Sequence, residues 1–155
     1  TLVDGFSVSE YLRKNHKDLF KILTKTKVRF RFVDKTIILE NWGELIELDD
    51  NNKIKQVRYS TRLDYVPALE KKELEIFYEA RKLISDLYAS SKFEIKFRLE
   101  KGDLLMMDNH RLLHGRTSYD VSEGKRYLKG CYIDHDSTEG KLRYLERKFG
   151  LKWKK

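Results

Sequence analysis

Between Phe93 and Met107 the chain spells two strands and the turn that joins them. Phe93, Ile95, Phe97 and Leu99 alternate with Glu94, Lys96 and Arg98; Lys101, Gly102 and Asp103 follow; then Leu104, Leu105, Met106 and Met107 form an unbroken apolar run. Period-two alternation places apolar side chains on one face, so the first run predicts a half-buried strand. The second run is apolar on both faces, so it predicts a central strand covered on each side.

Other strands read the same way. Val28, Phe30 and Phe32 alternate with Lys27, Arg29 and Arg31, and residues 44–48 and 54–59 flank Asp49, Asp50, Asn51 and Asn52 as a hairpin would. Residues 126–133 read as the last strand. Helical periodicity appears over residues 8–24, with Ser7 as N-cap and Val8, Leu12, Leu19 and Leu23 as its stripe. It returns after Pro67 as far as Ala89, with Leu74, Phe77, Ile84 and Leu87 on one face, and again over residues 140–149. Short antiparallel strands with inserted helices predict a mainly β fold, a sandwich or jelly roll with helices outside it.

A chain of 155 residues fits one domain. Its single Cys excludes an intramolecular disulfide framework and any Cys₄ or Cys₂His₂ zinc site. The apolar runs are too short to span a bilayer, no signal or transit segment opens the chain, and a reducing, cytoplasmic setting is the expectation. The first residue is Thr1, so the chain is expected to be processed or a piece of something longer. The net charge is +8, of which residues 137–155 carry +5. A basic tail of this kind can meet phosphate backbones, but its simpler reading is a solvated helix.

The densest polar block runs from Asp108 to Arg126, directly after the apolar run, where a rigid strand would enter a loop. Within it His114 has three readings: metal ligand, general base or structural histidine. Arg126 stands twelve residues further on. By strand parity it shares a face with Leu128, Gly130 and Tyr132, a face suited to line a small pocket, where a guanidinium fork fits a carboxylate. The opposing reading is a surface arginine on an edge strand. Cys131 falls on the other face and reads as a small buried hydrophobe.

The run Gly102-Asp103-Leu104-Leu105-Met106-Met107-Asp108-Asn109-His110-Arg111-Leu112-Leu113-His114-Gly115-Arg116 resembles the C-terminal half of the γ-butyrobetaine dioxygenase and trimethyllysine dioxygenase family. These are TauD/TfdA-like Fe(II)- and 2-oxoglutarate-dependent oxygenases. The resemblance continues through residues 124–134 and the Arg-rich final helix, and reaches back to Leu2-Val3-Asp4-Gly5-Phe6 and to residues 57–64. It implies a double-stranded β-helix, here a partial one, with residues 1–155 as the C-terminal part of a single catalytic domain. It implies Fe(II) and 2-oxoglutarate as cofactors, with ascorbate as reductant, and hydroxylation of a small trimethylammonium substrate such as γ-butyrobetaine, as in carnitine biosynthesis. Gly-Arg-Thr-Ser-Tyr and Tyr-Ile-Asp sit closer to the γ-butyrobetaine branch.

By the same match, His114 would be the distal iron ligand, Arg126 would grip the far carboxylate of 2-oxoglutarate, and Tyr132 would join the aromatic cage around the substrate cation. The segment around residues 59–62 would border the substrate. The family's His-x-Asp pair, its other two iron ligands, lies upstream of the Val-Asp-Gly-Phe element on which this chain begins. The pair is therefore expected to be absent, as is the small N-terminal domain, and the chain alone is expected to be inactive. His16-Lys17-Asp18 has the same spelling but falls inside the first predicted helix. There residues i and i+2 point about 200° apart and chelate poorly.

Two other classes of function stand beside the oxygenase. One is a non-catalytic remnant that keeps an interaction or dimer surface, motivated by the two later helices. The other, weaker, is nucleic-acid binding through the basic tail, which a salt titration would reveal.

Overall fold

A computed structural model describes residues 1–62, 64–115, 122 and 127–151. The chain divides into two compact units, Thr1–Thr117 and Ser118–Lys155.

In the first unit β1 (Leu2–Asp4) runs straight into α1 (Gly5–Asn15). The cap is Asp4 and not Ser7: its carboxylate accepts from the Phe6 amide at 3.0 Å, and the Ser7 hydroxyl donates to the same carboxylate at 2.9 Å. The single helix expected over residues 8–24 is broken. His16 leaves helical space at φ −139° and ψ 62°, and α2 (Lys17–Lys25) begins after it. Both segments still reach one core: Val8 and Leu12 from α1 and Phe20 and Leu23 from α2 are all buried in it.

β2 (Lys27–Val33) pairs antiparallel with β3 (Ile38–Glu44), with Arg29 opposite Trp42 and Phe32 opposite Leu39. β4 (Ile46–Leu48) and β5 (Ile54–Val57) form the expected hairpin. Its turn is built by Asp49, whose Oδ1 accepts from the amides of Asn51 at 2.9 Å and Lys53 at 2.8 Å, while Asn52 takes φ 59°. Asparagine tolerates that left-handed conformation, so the local chemistry sets the loop. After Pro67, α3 (Lys71–Tyr88) lays Phe77, Ala80, Ile84 and Tyr88 into the core against α1 and α2. Full burial of Phe77 or Ile84 stabilises the unit by about 2 kcal/mol each. A half-buried polar network ties the loop after β5 to this helix: the Arg81 guanidinium pairs with the Asp64 carboxylate and donates to the Ser60 carbonyl at 3.0 Å, and the Tyr59 hydroxyl donates to Ser85 Oγ at 2.8 Å.

The strand expected from Phe93 shrinks to β6 (Glu94–Ile95). Residues 104–107 are not a buried central strand. They carry no regular structure, and Leu104 is 87 % and Met106 78 % exposed. The reason is physical: an all-apolar run shows what a segment could bury, but a central strand also needs neighbours on both edges, and among the described residues it has none. The strand that follows is β7 (Leu112–His114). β1 lies between β6 and β7, antiparallel to both.

The second unit holds α4 (His135–Phe149), which starts earlier than the expected residue 140 and ends at Gly150 with φ 62°. None of its residues is buried. Residues 127–134 are exposed and, among the described residues, carry no regular structure, so the described part of the last expected strand is not one, and Cys131 is exposed and not buried. Among the described residues the helices hold more of the chain than the strands, and the sheets are small and antiparallel. No helix among them is long and apolar enough to cross a membrane.

Candidate functional site

The Leu-Val-Asp-Gly-Phe start and the Asp-Asn-His-Arg-Leu-Leu-His-Gly block meet in the structure. Asp108 opens the block with a turn: its Oδ1 accepts from the His110 amide at 2.9 Å, and its carbonyl accepts from the Leu112 amide at 2.8 Å. The His110 carbonyl accepts from the Val57 amide at 2.9 Å, which ties the block to the end of β5. The Arg111 carbonyl accepts from the Gly5 amide at 3.0 Å. A side chain at residue 5 would place its Cβ 2.9 Å from that carbonyl oxygen and 3.3 Å from Val57, so glycine is required by close approach.

The Arg111 side chain closes the contact. Its Nε and Nη2 donate to the two oxygens of Asp4 at 3.0 and 2.7 Å, a bidentate fork, and its guanidinium lies 5.4 Å from the Phe6 ring centroid. These hydrogen bonds are the main cause that holds the Asp4 carboxyl below its ordinary value, with smaller help from Ser7 and the Phe6 amide; partial burial opposes them. One carboxylate thus caps α1 and anchors the block 107 residues away.

β7 then carries the chain to His114, opposite Leu2, and Gly115 finishes the ladder by exchanging hydrogen bonds with Thr1 at 3.0 and 3.1 Å. His114 is therefore, among the described residues, the last residue of an edge strand, exposed, with its neighbours Leu113 and Gly115 tied to Val3 and Thr1. Among the described residues it belongs to no group of three His, Cys, Asp or Glu side chains close enough to share an ion. His114 thus fits one position of an iron centre, and by itself does not make the two-histidine, one-carboxylate set.

Arg126 lies outside the described residues. Tyr132 is described: it is 88 % exposed in the second unit, and not on a strand. His16 sits at the break between α1 and α2, not within a helix, and Asp18 in the first turn of α2; both face an open surface dent that also reaches Glu79. They too belong to no group of three that could share an ion among the described residues. Tyr59 and Ser60 take part in the network on α3.

No local pattern in the sequence joins Asp4, Gly5 and Arg111 into one unit. The only signal was that two distant blocks both stood out, and their contact needs the fold.

A family model described as taurine catabolism dioxygenase TauD, TfdA family matches residues 1–132. The chain is similar to the gamma-butyrobetaine dioxygenase of Homo sapiens, 33 % identical over 152 residues, covering 95 % of this chain and 39 % of that protein. It is 29 % identical over 147 residues to the gamma-butyrobetaine dioxygenase of Pseudomonas sp. (strain AK-1), covering 95 % of this chain and 38 % of that protein. It is 31 % identical over 150 residues to the trimethyllysine dioxygenase of Meyerozyma guilliermondii, covering 94 % of this chain and 37 % of that protein. The chain thus spans about two-fifths of the length of the curated relatives it matches.

Proposed function

The chain belongs to the TauD/TfdA dioxygenase family, and from that premise we propose that it forms the C-terminal part of an Fe(II)- and 2-oxoglutarate-dependent oxygenase acting on a small trimethylammonium compound. The observation that carries this reading is the family match over residues 1–132, which spans His114, Arg126 and Tyr132. His114 is the residue we assign to iron. Its place at the end of a strand pinned through Asp4 and Gly5 supports the role, because a metal ligand must be held in direction as well as position. Arg126 is assigned to the far carboxylate of 2-oxoglutarate, which its fork suits. Tyr132 is assigned to the substrate cation, which an aromatic face attracts. In the complete enzyme these residues would belong to a double-stranded β-helix.

One imidazole does not hold Fe(II) in the required geometry, so the 155 residues alone are expected to consume no 2-oxoglutarate. The direct test is a chimera in which this chain replaces the matched part of the Homo sapiens relative. Succinate formation that depends on Fe(II), on 2-oxoglutarate and on γ-butyrobetaine or trimethyllysine is expected, and His114→Ala should abolish it. A folded chimera that binds no Fe(II) at His114 would overturn the assignment.

The exposure of His114 and Tyr132 favours one second reading, a non-catalytic interaction domain. That reading expects the same chimera to fold and to stay inert.

A further inference from the structure

In the first unit a cleft of about 530 Å³ opens between α2 and the start of α3, a volume in the range of small-molecule sites. Its apolar lining is Ile22 from α2, Pro67 and Leu69 from the segment before α3, and Ile76 from α3, which keeps an exposed side chain there. Its charged lining is Lys21, Lys25 and Lys27 against Asp18 and Glu73. None of these five makes an ion pair with another described residue. Lys21 and Lys25 stand one helical turn apart, where like charges repel. Three ammonium groups facing two carboxylates leave the cleft one positive charge in excess.

Thr26 points to a ligand independently of that charge. It lies between Lys25 and Lys27, lines the same cleft and is only 7 % exposed. Its amide donates to the Ile22 carbonyl at 3.0 Å, but its hydroxyl makes no hydrogen bond among the described residues. A buried hydroxyl costs free energy unless something bonds it. An oxygen anion seated among the lysines would supply that partner.

We infer that this cleft binds a monocarboxylate with a short alkyl tail. The carboxylate would meet the lysines and the Thr26 hydroxyl, and the tail would cover Ile22, Leu69 and Ile76. One excess positive charge matches one carboxylate. Asp18 and Glu73 would repel a dianion such as phosphate, and the apolar lining would give it nothing. A cationic tail-bearing molecule would leave the three lysines without a counter-ion. The inference uses no residue assigned to iron, to 2-oxoglutarate or to substrate, so it stands or falls apart from the oxygenase reading.

The test is an amide NMR titration of the 155-residue chain with octanoate. Shifts at residues 21–27 and 68–76 should saturate, with half-saturation below roughly 1 mM, while those of β4 and β5 stay in place. Acetate, inorganic phosphate and octylamine should each bind at least roughly tenfold more weakly. The double variant Lys21→Gln with Lys25→Gln should weaken octanoate by at least roughly tenfold, and Thr26→Val by roughly threefold or more. Lys14→Gln with Lys53→Gln removes the same charge outside the cleft and should change nothing. Unmoved α1 amides in each variant show that the fold is kept. Shifts that never saturate overturn the inference, as does octanoate binding that survives the Lys21 and Lys25 changes or ignores Thr26→Val. Phosphate binding as tightly as octanoate overturns it in favour of charge alone, and octylamine doing so overturns it in favour of apolar contact alone.

Discussion

The carboxylate of Asp4 accepts from the Phe6 amide, the Ser7 hydroxyl and the Arg111 guanidinium, and each of these favours its charged form. Its folded pKa is depressed, so its contribution to stability is complete above the unfolded carboxylate value, about 3.9, and fades as pH falls through the folded one. Asp4→Asn keeps a capping oxygen and loses the ion pair. Because Arg111 is half exposed, the loss at pH 7 should be only about 0.5–1 kcal/mol, and it should shrink towards pH 3. Asp4→Ala also loses the cap and should cost about 1 kcal/mol more. Urea unfolding of both variants at the two pH values checks this; an Asp4→Asn deficit that grows on acidification would contradict the pairing. Tyr88 presents the opposite case. Its ring is buried edge-on against Tyr59 at 5.0 Å, its hydroxyl has no partner among the described residues, and burial pushes the phenol pKa up. Tyr88→Phe removes an unpaid desolvation and should leave the unit as stable or up to about 1 kcal/mol more so. A loss of stability in the same urea experiment would reveal an unseen partner for the hydroxyl.

Among the elements, the join between β1, α1 and β7 depends on the space at Gly5. Gly5→Ala would set a methyl group against a backbone carbonyl, which cannot rotate away as a side chain can. The cost should be about 1–3 kcal/mol, seen as a lower denaturation midpoint, with the exchange of β1 and β7 amides rising more than that of α3. An unchanged midpoint would mean that the two segments do not touch as described. The elements also show what a sequence can disclose. The turn at Asp49 and Asn52 was legible because its hydrogen bonds lie within four residues. β2 was legible from its alternation and α3 from its stripe. β3 was not, since Ile37, Ile38 and Leu39 do not alternate and the strand exists by pairing with β2. The apolar residues 104–107 misled for the same reason in reverse: they asked for neighbours that the described chain does not provide. His114 was legible as a candidate from its block, yet its strand is 112–114 and not the apolar run before it. The grip of Asp4 and Gly5 on Arg111 was hidden, because no local pattern records a contact across 107 residues.

At the scale of the whole molecule, the core and the candidate site follow different rules. The core of the first unit is made by α1, α2, α3 and the short strands packed on them; its buried residues all fall within residues 3–88, with Phe93 and Leu113 packed against them. The sheet that carries His114 is not: its middle strand is β1, and both flanking strands come from the other end of the unit. On a ribosome, β1 therefore emerges before both strands it must lie between. Its ladder with β7 cannot close until residue 114 has cleared the exit tunnel, a wait of more than a hundred residues during which the helical core is free to form first. A nascent chain stalled short of Leu112 would hold a folded core with β1 unpaired. The β1 segment would then be an open entry point for a protease, and the histidine assigned to iron would come into register only after that core.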